Sequence, residues 1–252
     1  MTESMILLEN MTKRFDQVVA VDDLSLSIPP GEVFAFLGPN GAGKTTTIKV
    51  LTGLLRPTRG RAVIGGFDIQ KNPFQAKRII GYIPDHPYVY EKLSGYEFFR
   101  FIGDLFGIPR QLQEERFEHF FNLFGLTAAK DKLVENYSHG MRQKLVMSVS
   151  LMHEPKIVIV DEPMVGLDPQ SALVVKRLFR RCAAEGATVF LSTHTLSVAE
   201  EVADRIGLIN KGKLIFLGTL QQMRETTQKE GNLEELFLEL TGREISVEGA
   251  SA

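Results

Sequence analysis

Two stretches of the chain concentrate residues that could handle a phosphate. Residues 38–46 read GPNGAGKTT and fit the pattern G-x-x-x-x-G-K-[ST], between an apolar run and a helical pattern. Gly38, Gly41 and Gly43 allow a tight backbone turn that aims N–H groups inward. The start of the helix adds partial positive charge. Lys44 can reach the β- and γ-phosphates of a nucleotide, and Thr45 can bind Mg²⁺. The whole loop, with Pro39, Asn40, Ala42 and Thr46, is the expected cradle. The bland alternative, a glycine-rich turn with a solvated lysine, must meet every one of these constraints by accident.

The second stretch, IVIVDEPMVGLD at 157–168, runs four apolar residues into Asp161 and Glu162. An ionised carboxylate buried without a partner costs on the order of several kcal/mol or more. Either the strand ends in solvent or a cation sits there. With the phosphate loop on a neighbouring strand, a magnesium ion and its triphosphate supply the charge. Asp161 is then the magnesium-side carboxylate, acting through water, and Glu162 faces the γ-phosphate as a general base. A third piece is NYSHGMRQK at 136–144, where Ser138 and Gly140 open a long helix. Such a terminus offers free N–H groups to an anion, although an ordinary serine cap would look the same. His194, in LSTHT, ends another strand. It could reach the γ-phosphate if that strand shares the sheet; a lone histidine is otherwise an unremarkable surface or core residue.

These residues need a scaffold of alternating elements. Strand-like runs occur at 25–28, 33–37, 61–64, 79–83, 157–160 and 188–192, with a terminal hairpin at 205–209 and 213–218 around NKG. Helical patterns cover 45–55, closed by Pro57, and about 170–185. Residues 87–153 change character and are mainly helical. Ser94 and Glu97 have capping-box spacing, residues 111–125 are amphipathic, and a third helix runs from about Ser138 to His153. The expected fold is α/β: a mainly parallel core sheet with an inserted α-helical subdomain. After about 220 the chain turns polar; NLEELFLEL then predicts a short amphipathic helix with Leu233, Leu236, Phe237 and Leu240 on one face. The domain reading is therefore 1–220 plus a 221–252 extension.

Over about residues 5–220 the chain resembles the ATP-binding cassette (ABC) family. Residues 38–46 match its Walker A loop, and 157–162 its Walker B strand with the catalytic glutamate, here Glu162. YSHGM (137–141) looks like the signature motif, GLD (166–168) like the D-loop with Asp168, His194 like the switch histidine, and Phe15 like the aromatic that stacks on adenine. The resemblance implies a P-loop NTPase core with an N-terminal antiparallel β portion. It implies Mg²⁺-dependent ATP hydrolysis by two cassettes closing head to tail, Ser138 of one meeting the γ-phosphate held by Lys44 of the other. A second cassette, most simply a second copy, and transmembrane permease subunits are the implied partners. The implied location is cytoplasmic, peripheral on the inner face of the cell membrane. Three departures stand out. Tyr137, His139 and Met141 replace the usual Leu, Gly and Gln; Asp85 stands where the family has glutamine; and Phe15 replaces the commoner tyrosine. YSHGM and the NLEELFLELTG tail resemble cassettes that serve exporters with separate membrane subunits.

Composition narrows the alternatives. The 252 residues carry a net charge of -2 without a basic stripe, which argues against a nucleic-acid partner. Cys182 is the single cysteine, so no internal disulfide can form. The stretch MTESMILLENMTKRF lacks the apolar core of a secretory signal, and no apolar run approaches the ~18 residues of a membrane span. A soluble ABC protein of repair or translation would be expected to carry a coiled-coil insertion or a second cassette, and neither is seen. An unrelated P-loop kinase or GTPase would leave 137–141 unexplained. The stretch 87–101 holds six aromatics. Most are expected in the core, with some of Tyr88, Tyr90 and Tyr96 lining a groove for a partner helix. Asp85 has two readings: a contact to Mg²⁺ and the attacking water, or a cap on the turn before Pro87.

Overall fold

The computed structural model describes residues 4–226. In chain order, β1 (Ile6–Phe15), β2 (Val18–Ile28) and β3 (Val33–Leu37) lead into α1 (Lys44–Leu51), then β4 (Arg59–Ile64) and β5 (Phe67–Asp68). After α2 (Pro73–Arg78) and β6 (Ile80–Ile83) come α3 (Gly95–Leu105), α4 (Arg110–Leu123) and α5 (His139–Leu151). The chain returns through β7 (Ile157–Asp161), α6 (Pro169–Ala184), β8 (Thr188–Thr193), α7 (Leu196–Val202), β9 (Arg205–Asn210), β10 (Lys213–Gly218) and α8 (Leu220–Thr226).

The strands form two sheets: β2-β1-β4-β5, antiparallel throughout, and β10-β9-β3-β8-β7-β6, parallel except for the β9–β10 hairpin. The fold is the α/β architecture expected, with an antiparallel N-terminal sheet and the helical block α3–α5 inserted between β6 and β7. β3, β7 and β8 are buried along their whole length, as strands covered on both faces must be. That is why they read as continuous apolar runs in the sequence.

The N-terminal sheet is more extensive than the sequence suggested. The 25–28 run is only the end of an 11-residue strand, and β1 was not located at all. Its alternation breaks at Asn10, which is left-handed at φ 47, as is Asp23 opposite at φ 54. The Asn10 Nδ2 donates to Asp23 Oδ1 at 3.0 Å, and the pairing shifts register between Leu8 and Met11. A bulge of this kind hides a period-2 pattern. The α1 helix also ends earlier than residue 55, because Gly53 takes a left-handed φ of 67 just past its end.

In the helical block the Ser94–Glu97 capping box is complete, and Phe98, Phe99, Phe117, Phe120 and Phe121 fill the space between helices. Tyr137, the first departure in YSHGM, belongs to this core. Its hydroxyl donates to Ala129 O at 2.7 Å, and its ring leaves room over α3 only for Gly95, where a Cβ would lie 2.1 Å from the Tyr137 oxygen. At the other end of the chain, Met223 of α8 is fully buried beside Leu196, Ala199 and Leu208. The 232–240 amphipathic stretch lies outside the described residues.

One packing detail carries a pH prediction. His153 stacks on Phe106 with ring centroids 3.9 Å apart. Its Nε2 donates to Ile80 O at 3.1 Å, while Nδ1 is buried without a partner among the described residues. Burial pushes the imidazole down from 6.5 to about 4, because a second N–H would have nowhere to donate. The folded state thus binds the proton less well than the unfolded state. This stability is fully present above pH 6.5 and is lost as pH falls towards 4, by at most about 3 kcal/mol. His153→Gln, which keeps one donor and cannot titrate, should show a shallower loss of unfolding free energy across that window. Parallel curves for the two proteins would refute it.

Candidate functional site: a phosphate-sized cavity at the strand ends

The loop after β3 is shaped by close backbone approach. A Cβ on Gly38 would sit 2.4 Å from Ile209 O, and one on Gly43, at φ 113, would sit 2.6 Å from Ala20 O. The loop is pinned from outside: Gly212 N donates to Ala42 O at 2.9 Å. No side chain among the described residues caps α1, so its first N–H groups remain available to a ligand. Asn40, Gly41, Gly43, Lys44, Thr45 and Thr46 line a cavity of about 240 Å³, together with Ala20, Asp85, Asp161 and Glu162.

Parallel pairing brings the acids here. β7 lies beside β8, with Asp161 opposite Ser192. Asp161 is 3% exposed and accepts a hydrogen bond from the Ser192 hydroxyl. Glu162 then leaves the strand in a left-handed conformation, φ 48, with its N–H donating to Ser192 O at 3.1 Å. That turn directs its carboxylate to Lys44: Nζ to Oε1 is 3.8 Å. The same Oε1 lies 2.9 Å from His194 Nδ1, just beyond β8.

Lys44 is 6% exposed, and its Nζ donates to Gly38 O at 2.7 Å and Pro39 O at 3.3 Å. Burial pulls its ammonium below the ordinary lysine range, against the opposing pull of Glu162 and Asp161. Lys44 is thus a cation of the protein itself beside the strand-end acids.

The cavity offers oxygen donors from Thr45, Asp161 and Asp85, and among the described residues no group of three or more His, Cys, Asp or Glu could hold a metal. A hard divalent ion needs six or more oxygens, so here it would have to take the remainder from phosphate and water. That donor set fits Mg²⁺ bound with a nucleotide. Asp85 lines the cavity rather than facing solvent alone, and its Oδ2 is 2.9 Å from His86 Nδ1.

The remaining candidates lie outside this cavity. Phe15 is exposed at the end of β1, with Lys13 Nζ 4.8 Å above its ring. Ser138 caps α5 and accepts from Met141 N at 3.3 Å. Gly140 packs so closely on the turn after β7 that a Cβ would lie 2.8 Å from Gly166 O. Asp168 caps α6, accepting from Ser171 N at 2.8 Å; the Ser171 bonds, helped by Lys144, hold its carboxyl down at about 2. Tyr88 and Tyr90 are 84% and 60% exposed. Tyr96 is half-buried, donating to Glu114 at 2.5 Å.

Sequence reasoning overlooked Ser192. Its one available signal was its place two residues before His194, at the end of a strand next to β7. A larger cavity of about 820 Å³ opens at the other end of β7, between α4 and α6. It contains neither the glycine loop nor the strand-end acids, so the smaller cavity is the one with phosphate chemistry.

Comparison with known proteins agrees with this geometry. A family model described as ABC transporter matches residues 21–165. An uncharacterized ABC transporter ATP-binding protein of Nostoc sp. is 37% identical over 82% of this chain and 62% of its own length. The ABC transporter ATP-binding protein NatA of Bacillus subtilis is 33% identical over 96% of this chain and 100% of its own length. A solved structure of an ATP binding subunit of an ABC transporter superimposes with a TM-score of 0.89 at 31% identity, over 94% of this chain and 100% of that one. The chain spans less than two thirds of the length of several curated relatives it matches.

Proposed function

The chain belongs to the ABC transporter family, and from that premise we propose that it is the ATP-binding and ATP-hydrolysing subunit of a transporter. The observation that carries this is the convergence of Lys44, Thr45, Asp161, Glu162 and Asp85 on one cavity behind a glycine-shaped loop. Lys44 and the first N–H groups of α1 hold the terminal phosphates. Thr45, Asp85 and, through water, Asp161 would hold Mg²⁺, which would neutralise phosphate charge when bound. Glu162 accepts a proton from water, and His194 orients it through Oε1. Phe15 stacks on the adenine.

Ser138, Gly140 and Asp168 are outside the Lys44 cavity of their own chain. In this reading they serve the nucleotide of a second cassette, most simply a second copy. No helix among the described residues is long and apolar enough to cross a membrane. Attachment to the inner face of the membrane then runs through permease subunits that dock on the exposed Tyr88 and Tyr90. The names of the relatives favour this over a soluble repair or translation role.

The test is phosphate release by the purified chain as Mg²⁺ is titrated at fixed ATP. Hydrolysis should require the metal. Asp85→Asn should raise the Mg²⁺ needed for half-maximal rate several-fold: one charge about 5 Å away interacts by roughly 3 kcal/mol at an effective dielectric near 20, and the carboxylate's repulsion of the γ-phosphate offsets most of its attraction for the metal. Asp85→Gln should behave likewise. Superimposed curves for the three proteins would remove Asp85 from the metal site, and no hydrolysis at any Mg²⁺ would sink the enzymatic reading.

A further inference from the structure

Across β3, β8 and β7 one row of the core sheet reads Phe36, Ser192, Asp161: Ser192 lies opposite Phe36 on one side and Asp161 on the other. Side chains two apart on a strand share a face, so Ser192 continues the face of Phe190, and Asp161 that of Ile159. Phe36, Ile159 and Phe190 belong to the apolar cluster that includes Ile48 and Leu51 of α1. Ser192 is fully buried. Valine suits a covered strand better, and a buried hydroxyl must find a partner. Among the described residues its partner is Asp161 Oδ1, to which it donates.

Asp161 has no second side-chain hydrogen bond among the described residues, and it lines the nucleotide cavity. Oδ2 is therefore the oxygen left for a ligand. The backbone of Ser192 serves the other acid. Its carbonyl accepts from Glu162 N at 3.1 Å, where the chain turns at φ 48. Thr193 Oγ1 then accepts from Thr195 N at 3.0 Å, and His194 Nδ1 lies 2.9 Å from Glu162 Oε1. The end of β8 thus holds each acid by a different handle: Asp161 by a side chain, Glu162 by a carbonyl and a histidine. A hydrogen bond of the first kind fixes the orientation of a carboxylate, and removing such a partner costs about 10- to 100-fold in metal affinity.

We propose that Ser192 is a positioning residue for the cation site: its hydroxyl holds Asp161 Oδ1 and so turns Oδ2 towards the Mg²⁺ that accompanies the nucleotide. This rests on the ATPase reading above. The role is separable from that of Glu162, because removing the hydroxyl leaves the Ser192 carbonyl in place.

Binding of a fluorescent ATP analogue, in Mg²⁺ and in EDTA, reads this role without turnover. Ser192→Ala should weaken binding in Mg²⁺ about tenfold, the low end of the range because Asp161 acts through water, and leave binding in EDTA within about twofold of wild type. Ser192→Thr keeps the hydroxyl and should recover most of the loss. If its added methyl unfolds the protein, Ser192→Cys, near in size and a weak donor, should fall between Ser192→Ala and wild type. In an Asp161→Asn background, Ser192→Ala should add less than about twofold, as expected of two residues that act as a unit. In hydrolysis, Ser192→Ala should raise the Mg²⁺ needed for half-maximal rate about tenfold, with kcat at saturating Mg²⁺ within about twofold. Wild-type affinity of Ser192→Ala in Mg²⁺, an equal loss in EDTA, or a full further loss in the Asp161→Asn background would overturn the proposal. Weakened Mg²⁺-dependent binding in the variant of a wild-type protein that hydrolyses no ATP would leave Ser192 in its role and overturn the ATPase reading. A wild-type protein that binds no nucleotide in Mg²⁺ would overturn both.

Discussion

Glu162→Gln is expected to lower kcat by about 10²- to 10⁴-fold while nucleotide affinity stays close to wild type. The amide is nearly isosteric and can still meet His194, whose Nδ1 lies 2.9 Å from Oε1. It cannot take a proton from water at neutral pH. The phosphate contacts from the 38–46 loop are untouched, because Lys44 is held by Gly38 O and Pro39 O as well as facing Glu162. Binding without turnover should then trap the nucleotide-bound pair of cassettes. Phosphate release and light scattering in ATP check both halves. Turnover near that of wild type would take the general-base role away from Glu162.

Lys44→Ala is expected to act on binding as well as on chemistry. The lysine is the cation nearest the two strand-end acids, 3.8 Å from Glu162 and sensed by Asp161. Its loss leaves Gly38 O without this donor and two carboxylates facing an incoming triphosphate uncompensated. A hydrogen bond to a charged group contributes about 1.5–3 kcal/mol, which corresponds to roughly 10- to 100-fold in nucleotide affinity. Hydrolysis should be undetectable. Fluorescent-nucleotide binding to the two variants separates them: Glu162→Gln retains affinity and Lys44→Ala does not. Unchanged affinity and rate in Lys44→Ala would mean that the cavity is not where the nucleotide binds.

The sequence by itself determined the parts whose chemistry is contiguous. The glycine loop, lysine and threonine sit within nine residues, so backbone conformation, donor placement and helix start are all local. The buried strand ending in Asp161 and Glu162 was legible for the same reason: four apolar residues followed by acids fit a covered strand reaching a polar edge, and the phosphate loop gave that edge a purpose. The Ser94–Glu97 cap and the inserted helices followed from short-range periodicity.

The tertiary structure decided everything that depends on which strand lies beside which. Strand order β9-β3-β8-β7-β6 puts Ser192 opposite Asp161, His194 on Glu162, and Asp85 in the cavity with Lys44. It also leaves Ser138, Gly140 and Asp168 outside that cavity, which no spacing in the chain could reveal. β1 stayed hidden because paired left-handed residues at Asn10 and Asp23 interrupt its alternation, and only its partner strand makes sense of the break. Tyr137 looked like a change in a binding motif and proved to be a core residue over Gly95. In each case the deciding contact joins segments well separated in the chain. Side-chain type and local period fix what an element can bury or bind, whereas long-range pairing fixes what it meets.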